Sequence, residues 1–74
     1  MSATQRCIKL WFILERTTNQ NRKSVAELTG ALGEAGYRAS HRTVLRDLDV
    51  LSGVCPLQVR MEGNVGYWYA LQQK

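Results

Sequence analysis

The apolar positions of the chain first follow a helical period and later alternate with polar ones. Residues 4–16 predict a first helix with an inward stripe at the spacing i, i+3, i+4, i+7, formed by Cys7, Leu10, Trp11 and Leu14. Phe12 and Ile13 do not fit this division. They are candidates to cover a neighbouring element or to form a weak self-contact between two copies of the chain.

A second helix is predicted after the polar loop "TTNQNRK". Ser24 and Glu27 have the spacing of a capping box, in which each side chain satisfies a free backbone N–H group. Gly36 is a natural helix stop. The predicted buried stripe of this helix consists of Leu28, Ala31, Leu32 and Ala35.

A third helix is predicted from His41 to Leu51, with Ser40 as its N-cap and Gly53 and Pro56 ending it. Its inward face consists of Val44, Leu48 and Leu51.

After the third helix, the apolar positions recur at every second residue. In "LQVRME", Leu57, Val59 and Met61 alternate with polar residues, which predicts a strand with one buried face. "GN" predicts a turn, and "GYWYAL" predicts the returning strand. Three helices followed by a hairpin predict an α+β winged helix-turn-helix that forms one domain over residues 1–74.

Composition narrows the class of protein. The chain has 74 residues, a formal net charge of +4 and a sequence pI of about 9.5, which favours an anionic partner, although many small basic domains have none. No apolar run is long enough for a membrane span, and no signal peptide is evident. Cys7, Cys55 and the single histidine are too few for a structural zinc site, so we expect reduced thiols and no cofactor.

Two arginines stand out on the third helix. With Val44, Leu48 and Leu51 inward, Arg42 and Arg46 point outward one turn apart. A DNA major groove admits one α-helix, whose N-terminal residues reach the base edges. We therefore expect Arg42 to read a base, with Thr43 in support, and Arg46 to contact a base or a phosphate. The alternative is a solvated face on which both arginines pair with Asp49 or nearby glutamates.

Other candidate contacts surround this helix. Arg22 and Lys23 precede the second helix and are either phosphate contacts or loop solubilisers, and Arg38 in the turn is similar. Asp47 and Asp49 would repel phosphate, so we expect them to form salt bridges inside the domain. The full set of predicted DNA contacts is Ser40, His41, Arg42, Thr43, Arg46, Arg22, Lys23, Arg38, Arg60 and Asn64.

Two other classes of function fit the residues less well. One is binding of single-stranded nucleic acid, in which bases stack on aromatic side chains. The four candidates are Tyr37, Tyr67, Trp68 and Tyr69, but in a small winged domain such residues more often fill the core. An enzyme is not expected, because no nucleophile with a base, no carboxylate pair and no metal set can be placed around His41.

The stretch "GYRASHRTVLRDLDVLSGVCPL" followed by "GYWYAL" resembles the N-terminal winged helix-turn-helix of bacterial WYL-domain transcriptional regulators, which is related to DeoR-type domains. "RKSVAEL" at residues 22–28 is similar to the start of the family's preceding helix. The resemblance covers nearly the whole chain, most specifically residues 22–57. The recognition-helix motif is matched by Ser40, Arg42, Thr43, Val44, Arg46, Asp47 and Leu48.

The resemblance implies a DNA-binding domain of a cytoplasmic repressor or activator, often dimeric, with a C-terminal WYL domain that senses a ligand. The chain ends at Lys74, where the linker to that sensor would begin, so it is either an excised domain, which we favour, or a small stand-alone regulator. The expected partners are double-stranded DNA, a second copy of the chain and such a sensor. The rival hypothesis is a protein-interaction winged helix that docks a partner through Phe12, Ile13 and the wing.

Overall fold

The computed structural model of the protein describes residues 2–71. The elements in chain order are α1 (Ala3–Leu14), β1 (Lys23–Ser24), α2 (Val25–Glu34), α3 (His41–Ser52), β2 (Leu57–Glu62) and β3 (Val65–Ala70). The three strands form one antiparallel sheet in the order β1-β3-β2. The predicted α+β class is confirmed, and the layout is compatible with a helix-turn-helix followed by a wing. Lys74, where the chain ends, lies outside the described residues.

Each helix begins at a serine whose hydroxyl accepts a backbone hydrogen bond three residues later. The predicted capping box is present in α2: the Glu27 N–H donates to Ser24 Oγ at 3.2 Å, and the Ser24 N–H donates to Glu27 Oε1 at 3.0 Å. Ser40 caps α3 as expected, since its Oγ accepts from the Thr43 N–H at 3.2 Å. Such caps contribute about 1 kcal/mol each.

The first helix is shorter than predicted. It begins at Ala3 because Ser2 forms a second capping box with Gln5. It ends at Leu14, whose carbonyl oxygen accepts from the Thr17 hydroxyl at 2.6 Å.

The core lies where the three helices meet, and the predicted stripes supply it. Its buried members are Leu10, Leu14, Leu28, Leu32, Val44, Leu48 and Leu51. The prediction for Ala35 was wrong, because Ala35 is the C-cap of α2 and is exposed. Gly36, with a φ of 88°, turns the chain there, and the Tyr37 N–H returns to the Leu32 carbonyl at 2.8 Å.

The apolar residues outside the predicted stripes divide between core and surface. Trp68 and Tyr37 are half-buried and pack against the core, as expected. Ile13 also packs against the core, which is the role of covering a neighbouring element, whereas Phe12 is exposed.

One strand was missed by sequence analysis. Lys23 and Ser24 lie in what was predicted as a loop and its boundary, yet they pair with Trp68 and Tyr67 of β3. A two-residue strand has no alternation to detect, and its partner is more than forty residues away along the chain.

The wing is a tight hairpin, in which Gly63 (φ 64°) and Asn64 join the paired residues Glu62 and Val65. A positive φ at the first turn residue is the feature that makes glycine favoured there.

The predicted buried face of β2 was wrong over most of its length. Val59 and Met61 are 37% and 61% exposed, while Leu57 at the start of the strand packs against the core. The helices cover only the end of the hairpin where Leu57 pairs with Ala70. The wing therefore extends beyond the helical layer with apolar side chains on its inner face.

Candidate nucleic-acid interface

The arginines of α3 owe their direction to the helix's inward face. Val44 and Leu48 are fully buried, so positions on the opposite side of the helix must face solvent. Arg42 and Arg46 occupy those positions, and both are exposed. Ser40 is the N-cap and α3 begins at His41, so Arg42 lies in its first turn.

Asp47 points the other way and is only 5% exposed. Arg6 of α1 holds its carboxylate with two hydrogen bonds: Nε donates to Oδ2, and Nη2 donates to Oδ1 at 3.2 Å. These hydrogen bonds raise the pKa of Arg6 above its ordinary value. The expectation that Asp47 forms a salt bridge inside the domain is confirmed, and its negative charge is removed from the outer face of α3.

Arg42 and Arg46 form no ion pair with any residue of the described range. The expectation of a salt bridge inside the domain is wrong for Asp49, which is exposed on the side of α3 that carries the arginines and forms no ion pair with them or with any other described residue. The solvated-face alternative required such pairs. Within residues 2–71 the two guanidinium groups are available to an external anion.

Arg22 has a different environment. Its Nη2 donates to Glu62 Oε2 in an ion pair, its Nη1 donates to the Asn19 carbonyl, and its guanidinium carbon lies 5.6 Å from the centre of the Tyr67 ring. These contacts tie the loop before α2 to the wing, so the charge of Arg22 is used within the fold.

The wing candidates separate onto two faces of the sheet. Arg60 is paired in register with Tyr67, and its Nη1 lies 3.5 Å from Asn19 Oδ1, on the side where Arg22 lies. Side chains alternate across a strand, so Arg60 points away from the face that carries Val59 and Met61. Asn64 at the tip instead lines a groove shared with His41.

The structure therefore gathers only part of the predicted set. Five of the predicted contacts are exposed at or near the start of α3: Arg38 in the preceding turn, Ser40, His41, Arg42 and Arg46. Thr43 lies beside them and is half-buried. Lys23 is half-buried in β1, where its backbone pairs with Trp68. Arg22 and Arg60 lie on the other face of the sheet.

A groove of about 540 Å³ between α3 and the wing was not predicted. One wall is formed by His41 and Leu45 of α3, and the facing wall by the inner face of the hairpin. Leu45 is 48% exposed. A sequence signal for it existed, since Leu45 is an apolar residue outside the inward stripe of α3, but the wall facing it depends on where the hairpin folds.

No match to this chain is found among protein-family models, curated proteins or solved structures. Over the described part of the chain, none of the helices has the length and apolar character needed to cross a membrane. Within the same residues, no group of three or more histidine, cysteine, aspartate or glutamate side chains is placed to hold a metal ion.

Proposed function

We propose that this protein is a winged helix domain that binds double-stranded DNA in a sequence-specific manner and regulates transcription, as repressor or activator, at the bacterial nucleoid. Because its third helix resembles that of WYL-type regulators, we propose that it is the DNA-binding part of such a regulator. It acts without a cofactor and is not an enzyme. In this proposal α3 enters the major groove and the wing lies against the neighbouring backbone.

The observation that carries the proposal is the unequal use of arginines. Arg6 and Arg22 are held by carboxylates of the fold, whereas Arg42 and Arg46 are exposed and unpaired on one helix face. Asp47, the acidic residue directly after Arg46 in the sequence, is buried on the inward side of α3. A domain that exposes two unpaired guanidinium groups on one helix face and buries a neighbouring carboxylate is suited to bind a polyanion.

A protein-interaction role is the second candidate, and one observation favours it. Between α1 and α3 lies a groove of about 500 Å³ whose rim carries the exposed side chains of Ile8, Val50 and Val54. Apolar surface of this kind marks interaction sites. It lies beside the Arg6–Asp47 pair and includes Arg46 in its lining, so a partner docked there and a DNA duplex would compete for Arg46.

One recognition helix covers only a short half-site, so we expect this domain to bind DNA weakly alone and more tightly as a dimer on half-sites about one helical turn apart. Phe12, which is exposed, and Ile13 beside it are the candidate self-contact. Sedimentation over a range of concentrations, with Phe12→Lys as the variant, tests this contact; a monomer at every concentration removes it.

The test of the proposed function is the salt dependence of binding to a fluorescent random duplex. About five phosphate contacts give a log–log slope of roughly −4 to −5 in affinity against salt. The variant Arg42→Ala/Arg46→Ala should flatten this slope, while Arg16→Ala, which removes an exposed arginine after α1, should leave it unchanged. A protein that does not bind the duplex at low salt, or whose binding ignores salt, is not a DNA-binding domain of this kind.

A further inference from the structure

Leu45 is placed differently from every other leucine of α3. Leu48 and Leu51 are buried in the core, whereas Leu45 is about half exposed and forms part of the wall of the groove between α3 and the wing. It makes no contribution to the buried core cluster. Its apolar side chain is therefore available to a ligand.

The groove that Leu45 lines has mainly apolar walls, and two helices, α2 and α3, begin at its edge. Val59 and Met61 of the hairpin face it, and no carboxylate lies among its lining residues in the described chain. The first N–H groups of a helix carry a partial positive charge. The Glu27 carboxylate offsets this charge in α2, whereas the first turn of α3 has no acidic residue, so the groove favours a ligand with an anionic group near His41 and apolar groups beside it.

A DNA strand has this combination of properties. Its backbone is anionic, and its major groove offers one apolar group, the 5-methyl group of thymine. The other groove on α3, toward α1, differs because its lining includes the Asp47 carboxylate.

The position of Leu45 relative to Arg42 fits the spacing of bases. Three residues along a helix correspond to about 4.5 Å of rise and about 60° of rotation. Successive base pairs are about 3.4 Å apart, so a contact from Arg42 and a contact from Leu45 would fall on neighbouring base pairs.

We propose that Leu45 is a specificity-determining residue that recognises the 5-methyl group of a thymine next to the base contacted by Arg42, with the apolar inner face of the wing excluding water from that contact. The proposal rests on the proposed DNA-binding function. It assigns sequence preference to an apolar side chain in addition to the arginines.

The test removes one methyl group from the DNA. A preferred site is first selected from a random duplex library, and each thymine is then replaced in turn by deoxyuridine, which pairs identically and lacks only the 5-methyl group. Wild-type protein should lose affinity about fourfold at one position, which corresponds to about 0.8 kcal/mol for one buried methyl group. Leu45→Ala should bind the thymine and deoxyuridine duplexes equally at that position.

Val50→Ala is the matched control, because Val50 is also an exposed apolar residue of α3 but lies on the α1 side. It should retain the full sensitivity to deoxyuridine. Thermal unfolding establishes that each variant is folded, and if Leu45→Ala is not, Leu45→Gln replaces it.

The outcomes separate the two proposals. If wild-type protein fails to bind duplex DNA, the proposed function falls, and this inference falls with it. If it binds but ignores every deoxyuridine replacement, or selects a site without thymine, the role of Leu45 is overturned while the DNA-binding function stands. The same holds if Leu45→Ala keeps the sensitivity of the wild type.

Discussion

On the inward side of α3, Asp47 is buried against Arg6 of α1, whereas on the outward side Arg42 and Arg46 reach solvent without an ion pair among the described residues. Both regions belong to one helix and lie within a few residues of each other. The difference is which charges have a partner inside the domain. Paired charges of α3 should affect stability when removed, and unpaired ones should affect binding.

The largest expected effect comes from removing the inward charge. Asp47→Ala leaves the Arg6 guanidinium, itself mostly buried, without its carboxylate, and breaking such a pair costs about 3 kcal/mol of the free energy of unfolding. Urea denaturation followed by tryptophan fluorescence measures it. DNA affinity of the folded fraction should not change, because Asp47 faces α1.

Asp49→Ala provides the comparison for that experiment. Asp49 is exposed, and no ion pair involves it within the described residues, so its removal should change the free energy of unfolding by less than about 0.5 kcal/mol. Equal losses from the two aspartates would mean that the Arg6–Asp47 pair does not hold α1 against α3.

The next effect concerns the outward charges. Arg42→Ala should cost about 2 kcal/mol of binding free energy on the preferred site and much less on random duplex, because a base contact is lost only where that base is present. Arg46→Ala, if that residue holds a phosphate, should weaken both duplexes alike. Fluorescence anisotropy on the two duplexes measures these losses, and unfolding should be unaffected. A uniform loss for Arg42→Ala would reassign Arg42 to a phosphate.

A smaller effect is expected from the exposed ion pair of the wing. Glu62→Gln removes the partner of Arg22, and since the Glu62 side chain is about half exposed, the free energy of unfolding should fall by about 0.5 kcal/mol. The loss should shrink further in about 1 M salt, where charges at the surface are screened. A loss as large as that of Asp47→Ala would contradict the ranking of the two pairs by burial.

The smallest expected effect is a pH dependence at the start of α2. The Glu27 carboxylate accepts a hydrogen bond from the Ser24 N–H. This bond lowers the pKa of Glu27 below its ordinary value of 4.5. A carboxyl group with a lowered pKa in the folded state stabilises the fold above its ordinary pKa, and this contribution is lost as the pH falls through the lowered value.

Glu27→Gln tests this dependence, because glutamine can form the same capping box without titrating. Urea denaturation should show a difference between the variant and the wild type at neutral pH that shrinks at about pH 3. A difference that stays constant with pH would mean that the charge of Glu27 does not contribute.

The candidate site was only partly predictable from the sequence. Arg42 and Arg46 were placed correctly because the inward stripe of α3 fixes which positions face outward. Arg22 was a candidate phosphate contact, but its pairing with Glu62 depends on bringing together residues 40 positions apart. The groove at Leu45 was missed for the same reason, since its two walls come from α3 and from the hairpin.

The sequence by itself determined the features that depend on neighbours within about one helical turn. These are the serine caps at Ser24 and Ser40, the inward stripes of the helices and the turn at Gly63, because capping bonds, helical period and turn geometry all act over three or four residues. Only the tertiary structure decided that Lys23 and Ser24 form a strand, that Asp47 meets Arg6, and that Met61 is exposed. Each of these depends on which distant segment comes to lie opposite, and on where the helical layer stops covering the sheet.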